Sequence, residues 1–458
     1  MQNCCAVILA AGEGKRMKSK KPKVLHPILF KPMLNWVIDA VKESGVQELC
    51  VVCGHLHEQV EQHVAGVAQT ALQSERLGTG HAVMQASAFL EAHRGGQVLI
   101  LCGDAPLMSS ASIQKAYDAQ TSGRTAATII TANAPDPYGY GRIVRTPDGA
   151  VAAIVEQKDA DTETKKITEI NSGGYWFDIN ALLDVVSKLK NNNVAGEYYL
   201  TDAVDLLIRN GHTVSAYQAN YFEILGANDR QQLSELSEIA RKMIMDRQLK
   251  NGVSIHCHDG VLIGPDVSIG EDTEILPGSI LRGHTLIGSN CIVGPNSLLE
   301  NMTVGDDVKI NASQCYQSFI NNDSKVGPFA HIRPNSVIGE HVKLGDFVEI
   351  KNSVIGDGTS VSHLTYIGDS DVGQNVNFGC GCVTVNYDGI NKARTIVGDN
   401  AFIGCNTNLV APVRVGDGAY IAAGSTITED VPNESMAIAR CRQVIKDGWA
   451  KDKVKKKK

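Results

Sequence analysis

At 458 residues the chain is too long for one ordinary hydrophobic core, so two or three domains are expected. Charged residues make up 20% and the formal net charge is -7, a balance that argues against a general nucleic-acid binder. No apolar run approaches the roughly 18 residues of a membrane span, and the N-terminus shows no signal-peptide pattern, so a cytoplasmic protein without a membrane partner is expected.

The first element is the apolar run "CCAVILAA", which breaks into "GEGKRM". A strand followed by a glycine-rich turn usually approaches a phosphate. The dinucleotide fingerprint wants a third glycine where Met17 stands, and the P-loop wants Gly-Lys-Ser/Thr after four spacer residues, so neither fits. An amphipathic stretch over Met33–Glu43 follows, then the apolar runs "ELCVVCG" and "QVLILCGD", the second ending at Asp104. Continuous apolar runs imply strands covered on both faces, as in parallel α/β sheets. Ligands of such sheets bind beyond the strands' carboxyl ends, which puts Gly12 and Asp104 on one crevice. This pattern fills residues 1–228. Cys50 and Cys53 have redox spacing but lie inside a strand, and the twelve cysteines read as reduced, mostly buried thiols. His256-Cys257-His258 lacks neighbours to complete a tetrahedral metal set.

Residues 229–250 carry no Gly or Pro, and Leu233, Leu236, Ile239, Met243 and Ile244 recur at helical spacing, which predicts a linker helix. Then the period changes. Ile263, Ile269, Ile275, Leu281, Ile287, Val293 and Leu299 stand six residues apart, and the phase returns at Ile338 and again from Val397 to Ile427. A six-residue repeat is the signature of a β-helix whose aliphatic position points inward. The glycine that often follows (Gly264, Gly270, Gly288, Gly294, Gly345, Gly404, Gly416) is expected to make the corner through a positive φ. About ten coils are expected over residues 252–430, inside a β-helix domain of 251–444. The phase slips after Ile350 and across "CVTVNYDGINKARTIVG", marking loops. A basic tail, 445–458, closes the chain.

The combination of "LAAGEGKRM", "KPKVLHPI", "LQSERLGTGHA", "LCGDAPL", "SHLTYIGDS" and "NYDG" with a hexapeptide half resembles the bacterial family of bifunctional N-acetylglucosamine-1-phosphate uridyltransferases/glucosamine-1-phosphate acetyltransferases. The resemblance covers the whole chain apart from the basic tail. It implies a Rossmann-like nucleotidyltransferase domain followed by a left-handed parallel β-helix, assembled as a homotrimer. It also implies the substrates: UTP and N-acetylglucosamine 1-phosphate at the first site, glucosamine 1-phosphate and acetyl-CoA at the second. Mg²⁺ is implied at the first site only.

Carried onto this sequence, the resemblance puts Leu9, Ala10, Ala11 and Gly12 around the nucleotide, with Gln73, Gly78 and Thr79 reading the base. Arg16 and Lys23 are the cations expected on the phosphates. Asp104 and Asn228 match the Mg²⁺ ligands, two protein oxygens being enough when water and phosphate supply the rest. Gly141, Glu156 and Asn171 match the amino-sugar segments. In the second half His363 matches the general base, and an imidazole suits proton transfer near neutral pH. Arg333, Lys351, Tyr366 and Asn377 match the sugar-phosphate contacts. Cys380, Asn386, Tyr387, Lys392, Cys405, Ala423 and Arg440 fall at acetyl-CoA positions, Cys380 and Cys405 standing where small Ala and Ser residues are usual. A different sugar-nucleotide pyrophosphorylase with a structural β-helix, and a non-catalytic assembly subunit, are the rival readings. His363 with Tyr366 argues against the first, and Arg16, Lys23 and Asp104 against the second.

Overall fold

The computed structural model describes residues 3–451 and 453, and divides into two compact units, Met1–Lys242 and Met243–Lys458. The basic tail falls partly outside the described residues, at 452 and 454–458; its described part carries turns but neither helix nor strand.

In the first unit the central sheet runs in the spatial order Val214–Gln218, Ala127–Asn133, Glu169–Asp178, Gln97–Cys102, Cys4–Ala10, Glu48–Cys53, Gln69–Leu72. Neighbours pair parallel except at Glu169–Asp178, which runs antiparallel to both its neighbours and carries a hairpin, Arg142–Arg145 with Val151–Val155. The sheet is therefore mixed rather than wholly parallel. Alternate residues of one strand feed two cores: Cys5 and Val7 pack on one face, Ala6 and Ile8 on the other. That is why the run is continuously apolar. The same alternation separates Cys50 from Cys53. Three residues apart on a strand they face opposite sides, one in each core, with burial pushing their thiols up to about 11 and about 12. All twelve cysteines are free thiols.

The helix Arg230–Lys250 begins where the Asp229 carboxylate accepts a hydrogen bond from the Gln232 backbone N–H at 2.9 Å, a capping contact. Leu236, Ala240, Ile244 and Met245 are buried along it, whereas Met243, placed by spacing on the apolar stripe, is 45% exposed. The division between the units falls within this helix, after Lys242.

The second unit is a left-handed parallel β-helix. Its short strands stack into three sheets of ten, nine and ten, each paired in register with the coil before and after. The hexapeptide aliphatics point inward: Ile263, Ile275, Leu281, Val293 and Leu299 are at most 1% exposed. The corner glycines act differently from expectation. Of those seven, only Gly294 has a positive φ (111°). The left-handed corners are taken instead by residues such as Asp272, Asn290, Asn296 and Asn406, whose short polar side chains tolerate that conformation. The glycines solve a spacing problem. A Cβ on Gly404 would lie 2.6 Å from the Ala423 backbone nitrogen, and one on Gly270 would lie 2.6 Å from the Gly288 carbonyl carbon. Among the described residues no helix is long and apolar enough to cross a membrane.

Candidate active sites

At the carboxyl ends of strands Cys4–Ala10 and Gln97–Cys102 the first unit opens a cavity of about 360 Å³. Leu9, Ala10, Ala11, Gly12, Lys23, Gln73, Gly78, Thr79 and Asp104 all line it. Gly14, left-handed at φ 64°, turns the loop back; a Cβ there would meet the Lys23 Cβ at 2.8 Å, so the glycine lets the lysine stem pass. Gln73 is 4% exposed, and its amide nitrogen donates to the Gly78 carbonyl at 3.0 Å. That contact fixes the amide's orientation against the cavity. Gly78 has φ 105° and sits against the Tyr198 carbonyl, where a side chain would collide at 2.6 Å.

The Lys23 ammonium is the hub of the mouth. It donates to the Asn228 Oδ1 at 2.8 Å and pairs with the Asp104 carboxylate. Gly226 allows this approach, because the chain packs directly on Asp104 there and the Ala227 N–H donates to the Asp104 carbonyl at 3.2 Å. Two hard oxygens thus converge on one cation, a donor set that fits a divalent ion such as Mg²⁺. Among the described residues no group of three or more His, Cys, Asp or Glu could hold a metal, the His256–His258 stretch included.

A second cavity of about 210 Å³ shares Leu9, Thr79 and Cys102 with the first and is lined by Gly141, Glu156, Asn171, Tyr175 and Thr201. Burial pushes the Glu156 carboxyl above its ordinary range. The Asn171 amide nitrogen donates to the Tyr175 hydroxyl at 2.6 Å, and its oxygen accepts from the Gly173 N–H at 3.1 Å. Arg16 is not brought to either cavity. It stands exposed on a single 3-10 turn, Lys15–Met17. Arg76, unremarked in the sequence, lines the larger cavity and pairs with Glu13 at 3.1 Å; its only signal was its place inside "LQSERLGTGHA".

On the β-helix, register does the assembling. Asp346 and His363 are partners on adjacent coils, and the Asp346 Oδ1 accepts from the His363 Nδ1 at 2.7 Å. An ionised carboxylate can only accept, so the proton sits on Nδ1 and Nε2 keeps its lone pair. That bond holds the Asp346 carboxyl below the usual range. Asn377 lies on the next strand of the same face, opposite Ser360.

Around the corner, Arg333 and Lys351 stack on neighbouring rungs, the Arg333 N–H donating to the Ile350 carbonyl at 2.8 Å. Arg333 pairs with Glu349 at 2.9 Å, and Lys351 pairs with the nearly buried Asp369 at 3.1 Å. Asp369 also accepts from Asn352 at 2.6 Å and from Asn386, and these partners, Asn352 first and then Asn386 and Lys351, outweigh burial to hold its carboxyl low. Asn386 reaches the Tyr366 hydroxyl at 3.5 Å. Two expected residues, Lys351 and Asn386, therefore meet at one carboxylate, and Tyr366 joins them through Asn386. Cys380, Cys405 and Ala423 continue a corner column upward, with Arg440 beside Gly424 at its end. Tyr387 and Lys392 stand apart, bridged to each other on an exposed loop.

Comparison with known proteins adds independent findings. The sequence model of the nucleotidyl transferase family matches residues 5–227. Bacterial transferase hexapeptide repeats match 266–301 and 394–429, and a GMPPB C-terminal domain model matches 314–399. The chain is 53% identical over 450 residues to the bifunctional protein GlmU of Acetivibrio thermocellus, covering 98% of this chain and 97% of that one. It is 50% identical over 456 residues to the GlmU of Caldanaerobacter subterraneus subsp. tengcongensis (100% and 99%) and 50% identical over 450 to that of Clostridium acetobutylicum (98% of each).

Proposed function

From the premise that this chain belongs to the family of bifunctional GlmU proteins, we infer how its two sites divide the work. It is a bifunctional enzyme of UDP-N-acetylglucosamine synthesis, a nucleotidyltransferase in its first half and an acetyltransferase in its hexapeptide half. The observation that carries the assignment of roles is the His363–Asp346 pair. It stands complete on the β-helix, on a different compact unit from the nucleotide cavity.

At the first site a phosphate oxygen of N-acetylglucosamine 1-phosphate attacks the α-phosphorus of UTP and expels pyrophosphate, a step that needs alignment and charge neutralisation. Gln73, held by Gly78, reads the uracil edge, and Thr79 and the Leu9–Gly12 backbone flank the nucleoside. Lys23 and Arg76 supply positive charge toward the phosphates, and Arg16, exposed on the 3-10 turn Lys15–Met17, is the further cation we assign to them. Asp104 and Asn228 would hold Mg²⁺, which supplies further neutralisation of the triphosphate. Glu156 and Asn171, in the smaller cavity with Gly141, take the sugar hydroxyls and acetamido group.

At the second site Arg333 and Lys351 grip the phosphate of glucosamine 1-phosphate, while Tyr366 and Asn377 hold the sugar and Asn386, bonded to Asp369, meets the acetyl-CoA beside them. The His363 Nε2 takes a proton from the amine as it attacks the acetyl-CoA carbonyl, and CoA leaves as the thiol. Tyr387, Lys392, Cys380, Cys405, Ala423 and Arg440 border the CoA path, Arg440 being suited to its phosphates. We place the enzyme in the cytoplasm, where UTP and acetyl-CoA are made.

Assembly as a trimer through the β-helix is supported by three exposed apolar residues at left-handed corners: Phe329, Phe347 and Leu364, each over half exposed. Phe329 and Phe347 stack with ring centroids 5.3 Å apart. A bulky apolar residue in this conformation costs about 1–2 kcal/mol, which burial against a neighbouring copy offsets. The direct test is incubation with glucosamine 1-phosphate, acetyl-CoA, UTP and Mg²⁺ while following free thiol and pyrophosphate separately. Both appear, and pyrophosphate release is much slower with ATP. Absence of thiol release would remove the acetyltransferase role.

A further inference from the structure

The corner column that begins at Asp346 and His363 continues, rung by rung, through Cys380 and Cys405. Asn377 and Phe378 pair in register with Phe402 and Ile403, and two residues on in each strand the rungs carry Cys380 and Cys405. The ladder holds through the corner, since the Asn406 N–H donates to the Cys380 carbonyl at 2.8 Å. Gly379 leaves the space the second thiol uses: a Cβ there would lie 2.8 Å from the Cys405 Sγ. Adjacent coils stack about 4.8 Å apart, inside the roughly 4.4–6.8 Å Cα separation that a disulfide spans. Cys380 is half-buried and Cys405 is exposed. By the same count Ser360 and Val361 pair with Asn377 and Phe378, so Cys380 is the rung neighbour of His363.

We propose that Cys380 and Cys405 form a dithiol site that reacts with low-molecular-weight disulfides to close an intrachain bond, and that this bond stops acetyl transfer. One cysteine thiolate attacks a sulfur of the small disulfide RSSR, forming a mixed disulfide and releasing RS⁻. The second thiolate then attacks the protein sulfur of that mixed disulfide, forming the Cys380–Cys405 bond and releasing the second RS⁻. The protein loses two electrons and two thiol protons, and RSSR becomes two RSH. In a reducing compartment the pair rests as the dithiol. Cys382 lies beneath, its thiol pushed up to about 11 by burial, and takes no part. The blocking step rests on the reading that acetyl-CoA runs along this column: the bond swings both thiols together in its wall beside the general base, and a thioester seated about 1 Å off as a result loses about a hundredfold in rate.

The full-length enzyme is treated with oxidised glutathione, desalted, and assayed for acetylated sugar phosphate and for pyrophosphate. Peptides are then mapped by mass spectrometry without reduction. The expected result is a linked Cys380–Cys405 peptide two hydrogens lighter than its parts, acetyl transfer down about a hundredfold, uridylyl transfer unchanged, and recovery with dithiothreitol. Cys405→Ser, compared with its own reduced form, carries only a glutathione adduct and no linked peptide. Absence of the linked peptide in the parent enzyme overturns the proposal. A linked peptide with full acetyl transfer overturns the block. Failure of the reduced enzyme to acetylate at all would instead count against the assigned function.

Discussion

Asp346 decides which nitrogen of His363 is basic. Replacing it by Asn keeps the shape but lets the amide donate, which favours the tautomer with its proton on Nε2 and no lone pair toward the amine. Asp346→Asn is expected to lower kcat for acetyl transfer by about 10²–10⁴-fold with little change in the KM for acetyl-CoA, read in a thiol-release assay. A drop below threefold would show that the pair is only structural. Asp346 and Asp369 were not legible in the sequence, because each meets its partner across one coil, 17 and 18 residues away. That distance means contact only once the coil length is known. Asp104 was legible because it follows the end of an apolar strand, whereas Lys23, on the 3-10 turn Lys23–Leu25, was legible only through the resemblance of its motif. Arg76 was passed over for Arg16, since a string of letters does not say which of two cations turns inward.

At the scale of elements, the helix Thr201–Arg209 carries Asp202 in its first turn, with a carboxyl pushed up to about 6 by burial first and then by Asp205 and Asp159. The folded state therefore binds a proton more tightly than the unfolded one. Its contribution favours folding at low pH, is lost as pH rises from about 4 to 6, and is a constant cost above that. Asp202→Asn is expected to raise the Tm at pH 8 by about 2–4 °C and to remove that part of the pH dependence in thermal melts. An unchanged Tm at pH 8 would refute it. In the β-helix, Gly404→Val drives a side chain into the Ala423 backbone, so the expected loss is about 1–3 kcal/mol in urea unfolding.

The hexapeptide blocks were legible as blocks, but residues 299–338 were not. There the inward positions Leu299, Val304, Ile310, Cys315, Ile320 and Val326 stand five or six apart. The shorter sides break the phase on paper while every inward residue stays buried. The antiparallel run of Glu169–Asp178 was equally hidden, because an apolar strand's pattern reads the same in either direction.

At the scale of the whole molecule, two compact units of one chain carry the two proposed sites. The nucleotide cavity draws on residues up to Asn228, and the acetyl site on residues from Arg333 onward. Chemistry at one therefore needs no side chain from the other. A mixture of Asp104→Ala and His363→Ala proteins should restore the full sequence from glucosamine 1-phosphate to UDP-N-acetylglucosamine, each supplying the step the other lacks.

The most direct measurement is His363→Ala alone, assayed for both products. Thiol release from acetyl-CoA should fall by about 10²–10⁴-fold, while pyrophosphate release from UTP with supplied N-acetylglucosamine 1-phosphate stays within about twofold of the parent. Loss of both activities in a folded protein, or retention of both, would contradict the two-site account.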